Sequence, residues 1–140
     1  MRILLAIDDS KSSEAATQAV IAQHRSQGTQ VKILNVVDLL IPIPTSDAAG
    51  FREESLKYGQ QVVGRAEQML KKAGYIVQTA VEEGDPKSKI IDQATQWKAD
   101  LILMGSHGRK GIDRFLMGSV AEGVVRHAPC SVEIIRLPNS

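Results

Sequence analysis

Two kinds of apolar pattern alternate along the chain. Five short runs are rich in Ile, Leu and Val: RILLAI (2–7), VKILNVV (31–37), YIVQTAV (75–81), DLILMG (100–105) and SVEIIR (131–136). The first, second and fourth are nearly continuous, as strands buried on both faces of a sheet should be. YIVQTAV alternates more, which predicts a strand nearer an edge.

Between these runs the apolar residues recur at helical spacing. Residues 11–27 place Ala15, Ala16, Ala19, Val20 and Ala22 on a small-residue face, and Gly28 follows as a natural stop. Residues 52–73 carry Leu56, Val62, Val63, Ala66, Met69, Leu70 and Ala73 and end before Gly74. Residues 86–98 open on Asp85 as a cap, with Pro86 in the first turn, where its missing N–H has no helical partner. Ile90, Ile91, Ala94 and Trp97 then face inward. A final helix is expected from near Gly118 to about His127, closed by Pro129. The order β-α-β-α-β-α-β-α-β predicts an α/β fold: a five-stranded, mostly parallel open sheet with helices on both faces, joined by right-handed crossovers. Only DLLIPIPTSDAAG (38–50) breaks the pattern. It is long enough for a lid or a partner surface, and reads equally well as a connector.

Composition narrows this picture. A chain of 140 residues suits one domain, here 1–140. Aromatics are only 4%, so the core must be aliphatic. The net charge is +1 with no long Lys/Arg block, which points away from nucleic acid as the main partner. The single cysteine, Cys130, excludes an internal disulfide and offers no zinc quartet, which fits a reducing compartment. Its place between HAP and an apolar run reads as a small buried hydrophobe. The N-terminal MRILLAIDDS has too short an apolar run for a signal peptide, and no stretch approaches the roughly 20 apolar residues of a membrane span. The expected location is cytoplasmic, away from any membrane.

Ligands of open α/β sheets bind beyond the carboxyl ends of the strands, where strand order reverses. AIDDS, NVVD and MGSHGRKGIDRFLMGS (104–119) occupy such positions. Asp8, Asp9 or Ser10 fits a helix cap, and a carboxylate reaching a ligand hydroxyl or a metal is compatible with that. The last stretch spaces as Gly105-x2-Gly108-x9-Gly118-Ser119. Glycine admits positive φ and the close approach of a phosphate, and a helix starting at Gly118 would offer its N–H groups to an anion. Ser119 adds a hydroxyl there. Arg109, Lys110 and Arg114 bring positive charge to the excursion or are simply solvated. His107 either touches the ligand or is an ordinary loop histidine. Neither common phosphate loop is present, and no nucleophile has a paired base, so no catalyst is expected.

These residues resemble a known family. The glycine-serine pattern after LILMG, followed by VAEGVVRHAPCSVEIIR, with ILLAIDDS, ILNVVD and EGDPKSKIIDQA earlier in the chain, is similar to the ATP-binding branch of the universal stress protein family. The resemblance implies a Rossmann-like fold of the adenine nucleotide alpha hydrolase type. It implies binding of ATP, or AMP or ADP, with Mg²⁺, and a homodimer formed through the last strand, Ser131 to Arg136. Ala6 and Ile7 match positions whose backbone lines the adenine, Asp8 an acidic residue near ribose or phosphate, and Val36 a valine whose backbone reads the adenine edge. Met104 and Gly105 match the strand end beside the nucleoside, His107 and Gly108 the near phosphate loop, and Gly118, Ser119 and Val120 the far cradle. Ile7 stands where some members carry threonine, and Ser131 where APCPV is usual. The implied role is stress adaptation, with a nucleotide-independent scaffold or a slow ATPase as the competing readings.

Overall fold

The computed structural model describes residues 1–38, 48–106 and 117–137. Within them lie β1 (Arg2–Ala6), α1 (Lys11–Gln23), β2 (Gln30–Val37), α2 (Ala48–Lys72), β3 (Ile76–Glu83), α3 (Pro86–Trp97), β4 (Leu101–Gly105), α4 (Ser119–His127) and β5 (Ser131–Ile135). The five strands form one parallel sheet in the order β3-β2-β1-β4-β5.

The continuous apolar runs become the inner strands because both faces of the sheet are covered. Side chains alternate along β1. Ile3 and Leu5 point to the layer of α1 and α2, packing with Val20, Val63 and Leu70. Leu4 and Ala6 point to the layer of α3 and α4, packing with Ile90, Ala94 and Val124. The alternating YIVQTAV run is indeed an edge strand, where Ile76 remains 68% exposed. Among the described residues no helix is long and apolar enough to cross a membrane.

Three helix expectations change. The first helix ends at Gln23 instead of reaching residue 27, and His24 is already extended at φ −128°, ψ 134°. The Tyr75 hydroxyl is shared between the carbonyls of Val20 and His24 at this end, while Gly28 serves a later turn at φ 80°. Ala22 is exposed, and Ser12, Ser13 and Thr17 join the buried face instead. The second helix starts earlier, at Ala48, and ends at Lys72, with Met69 turned outward and Ala73 exposed in the turn beyond it.

The third helix follows its sequence signals. Asp85 accepts the N–H of Ser88 at 3.0 Å and its hydroxyl at 2.8 Å, and these bonds hold its carboxyl below the usual carboxylate range. Cys130 is half-buried against the α3–α4 core, and burial followed by nearby Asp100 pushes its thiol up, as expected of a packing residue.

Candidate functional site

Strand order reverses between β1 and β4, neighbours whose ends pair as Ala6 with Met104. A crevice at a topological switch point is where this architecture places ligands. The fold therefore brings together the end of β1 (Ala6, Ile7, Asp8), the end of β4 (Met104, Gly105) and, through α4, Gly118, Ser119 and Val120.

The loop after β1 is internally braced. Ser10 caps α1, accepting the N–H of Ser13 at 3.1 Å. An Asp8 carboxylate oxygen accepts the Ser10 N–H and the Ser13 hydroxyl, both at 2.8 Å, and the Asp8 N–H donates to Ser13 Oγ at 2.8 Å. Asp9 accepts the hydroxyl of Tyr58 and so ties this loop to α2. The three capping candidates thus separate into a cap, a loop brace and a helix tie.

Beside this loop, β2 runs on past the end of β1, paired only with β3. The Ile7 N–H donates to the Leu34 carbonyl at 2.9 Å, while the Ile7 carbonyl accepts Asn35 Nδ2 at 2.9 Å. On the other side the Gly84 N–H donates to Val37 at 3.0 Å. Alternate residues of a parallel strand direct their main-chain groups to the same neighbour. Val36, two beyond Leu34, therefore aims its N–H and carbonyl toward the place β1 has vacated by turning away. Among the described residues no main-chain group pairs with them there. Ile7, by contrast, has both backbone groups spent, and its side chain packs in the α1–α2 core.

Across the switch point the glycine stretch closes on itself. The Gly118 N–H donates to the Ser106 carbonyl at 2.8 Å, and the Ser106 N–H donates to Ile135 at 2.9 Å. The excursion from 106 to 118 thus leaves and returns at one point. Gly118 is the N-cap of α4, with no side-chain cap bond, so the first N–H groups of α4 have no partner within the helix. Their positive end favours an anion beside Ser106.

One glycine expectation is corrected. Neither Gly105 nor Gly118 uses positive φ; Gly118 sits at φ −63°, ψ 157°. A Cβ on Gly105 would lie 2.5 Å from Ser12 Cβ and 2.7 Å from the Ser12 carbonyl carbon. This glycine lets the first turn of α1 approach β4, so packing also requires it. His107, Gly108, Arg109, Lys110, Arg114 and most of segment 38–50 lie outside the described residues.

Sequence reasoning missed Asn35, 8% exposed, and its neighbour Gly59, where a Cβ would lie 2.7 Å from Asn35 Oδ1. A lone amide within an apolar strand was the available signal. Among the described residues no three His, Cys, Asp or Glu side chains gather as a metal site. A protein-built Mg²⁺ cage therefore does not fit these residues.

The profile described as the universal stress protein family matches residues 1–136. A protein of Staphylococcus aureus (strain USA300) assigned to the universal stress proteins is 34% identical over 138 residues, covering 96% of this chain and 82% of its own length. The solved universal stress protein UspA from Lactobacillus plantarum superposes with a TM-score of 0.85 at 27% identity, covering 97% of each chain. A family protein from Arabidopsis thaliana, solved with AMP bound, shares the fold at a TM-score of 0.75 and 18% identity, over 99% of this chain and 93% of its own.

Proposed function

Because the chain belongs to the universal stress protein family, we propose that it binds an adenine nucleotide at the β1/β4 switch point and acts as a regulatory module in stress adaptation. One observation carries the reading: the unpaired Val36 backbone edge and the N-terminus of α4 flank the same crevice. The first can read the edge of a planar base, and the second can hold phosphate. Asp8 lies at the end of β1, where a ribose would bridge the two. Ala6 and Ile7 line the base side, Met104 and Gly105 form the floor, and Gly118, Ser119 and Val120 supply phosphate contacts, with His107 and Gly108 on the near loop.

AMP in the Arabidopsis protein supports adenine as the base. ATP would extend further along the α4 end, and Mg²⁺ would be held through phosphates and water instead of a protein cage. No general base is positioned among the described residues, so turnover should fall far below the usual ~1–10³ s⁻¹ of enzymes. The module is cytoplasmic in this reading. It pairs as a homodimer through Ser131 to Arg136, where β5 bonds β4 on one side and leaves its other edge open.

Denaturing the purified protein and identifying released small molecules by mass spectrometry tests the reading. Adenine nucleotide should be recovered, or be bound from solution at millimolar concentration or below. Empty protein that also ignores added ATP and Mg²⁺ would end it.

A further inference from the structure

A cavity of about 220 Å³ opens between α1 and α2; it borders the crevice described above and shares Ile7 and Asp8 with it. It is lined by neither Val36, Met104 nor Gly118. Its floor is apolar: Ile7, Val62 and Ala66 are all at least nine-tenths buried. Thr17, on the same lining, spends its hydroxyl on the Ser13 carbonyl at 3.1 Å. Met69 forms a wall and is 37% exposed, with a flexible thioether that can adapt to a guest.

Charge of opposite sign stands on the two sides. Glu14 projects from the first turn of α1 and Arg65 from α2, and both line the cavity. Among the described residues neither side chain has an ion-pair or hydrogen-bond partner, so they do not reach each other across the opening. Asp8 and Asp9 lie on Glu14's side and deepen the negative potential there. An anion and a guanidinium held apart over an apolar floor are the complement of a zwitterion with an apolar body. A guanidinium grips a carboxylate in a fork, whereas an ammonium satisfies several carboxylate oxygens at once. The volume is below the roughly 300–1,000 Å³ of drug-sized sites, which suits a guest far smaller than a nucleotide.

We propose that this cavity binds a free α-amino acid with an aliphatic or thioether side chain. Its carboxylate pairs with Arg65, its ammonium faces Glu14, and its side chain lies on Ile7, Val62, Ala66 and Met69. This site borders the nucleotide crevice at Ile7 and Asp8, but its binding needs no nucleotide.

The test is a titration of nucleotide-free protein with L-leucine, followed by amide NMR shifts. Isoamylamine and isocaproate serve as probes carrying only one charge each. Leucine should shift the amides of Glu14, Thr17, Arg65 and Ala66 saturably, with a dissociation constant in the millimolar range or tighter. Either single-charge probe, and either variant Glu14→Gln or Arg65→Gln, should bind at least about tenfold more weakly. Both side chains are exposed, so the variants should melt like the parent. The proposal is overturned if leucine produces no saturable shift at tens of millimolar. It is also overturned if isoamylamine binds as well as leucine, which would make this a simple cation site. A third contrary result would be AMP shifting these amides in place of those at Val36 and Ser119.

Discussion

Gly105→Ala should lower the stability of the nucleotide-free protein by about 1–3 kcal/mol, the usual cost of forcing a methyl into a packed interior. The added Cβ meets Ser12 Cβ at 2.5 Å, but also the Ser12 carbonyl carbon at 2.7 Å and its oxygen at 2.9 Å. Main-chain atoms of a capped helix cannot swing aside as a side chain could. The first turn of α1 must move off β4, and with it the Asp8–Ser10–Ser13 brace. Ser12→Gly in the same chain should restore part of the loss, since it removes one of the three contacts. Gly64→Ala is the control. It lies within α2 with nothing within 4 Å of its Cβ, so it should stabilise by up to about 1 kcal/mol through helix propensity. Urea unfolding of the apo proteins checks both signs. An unperturbed Gly105→Ala protein would show that this glycine is not there for packing.

Asn35→Ala should cost about 1–3 kcal/mol, because it strips the partner from a buried acceptor. Asn35 Nδ2 is the group that satisfies the Ile7 carbonyl where β1 departs from the ladder. The amide occupies the space that Gly59 leaves open on α2, so its position is fixed by packing as well as by bonding. Without it the end of β1 keeps only the Ile7–Leu34 main-chain bond to β2, and the gap beside Val36 is held open less firmly. Stability and nucleotide affinity should fall together. A urea midpoint that falls at unchanged slope is the expected signature. An affinity unchanged despite lost stability would detach Asn35 from the site.

The strands were legible because burial on both faces leaves little room for polar residues in β1 and β4, and edge exposure leaves an alternating trace in β3. The start of α3 was legible because the Asp85 cap acts locally, on the Ser88 amide and hydroxyl. The end of α1 was not. Gly28 looks like a stop, but the chain is already extended at His24, where the hydroxyl of Tyr75, a residue distant in sequence, meets the Val20 and His24 carbonyls. Gly105 is a similar case: its spacing suggested a phosphate wall, and its contact with Ser12 supplies a reason that no local pattern carries. The candidate site was harder still, because its main features are backbone groups at Val36 and at the start of α4. Main-chain donors and acceptors leave no side-chain signature, so only the likeness to a family pointed to Val36, whereas the Gly118-Ser119 pair already marked the start of α4.

The central claim is that one crevice holds an adenine nucleotide between β2 and α4. An amide NMR titration of the apo protein with AMP tests it most directly. Saturable shifts should concentrate at Val36, Gly118, Ser119 and Val120. The absence of saturable shifts at millimolar AMP, or shifts that leave these four amides unmoved, would contradict it.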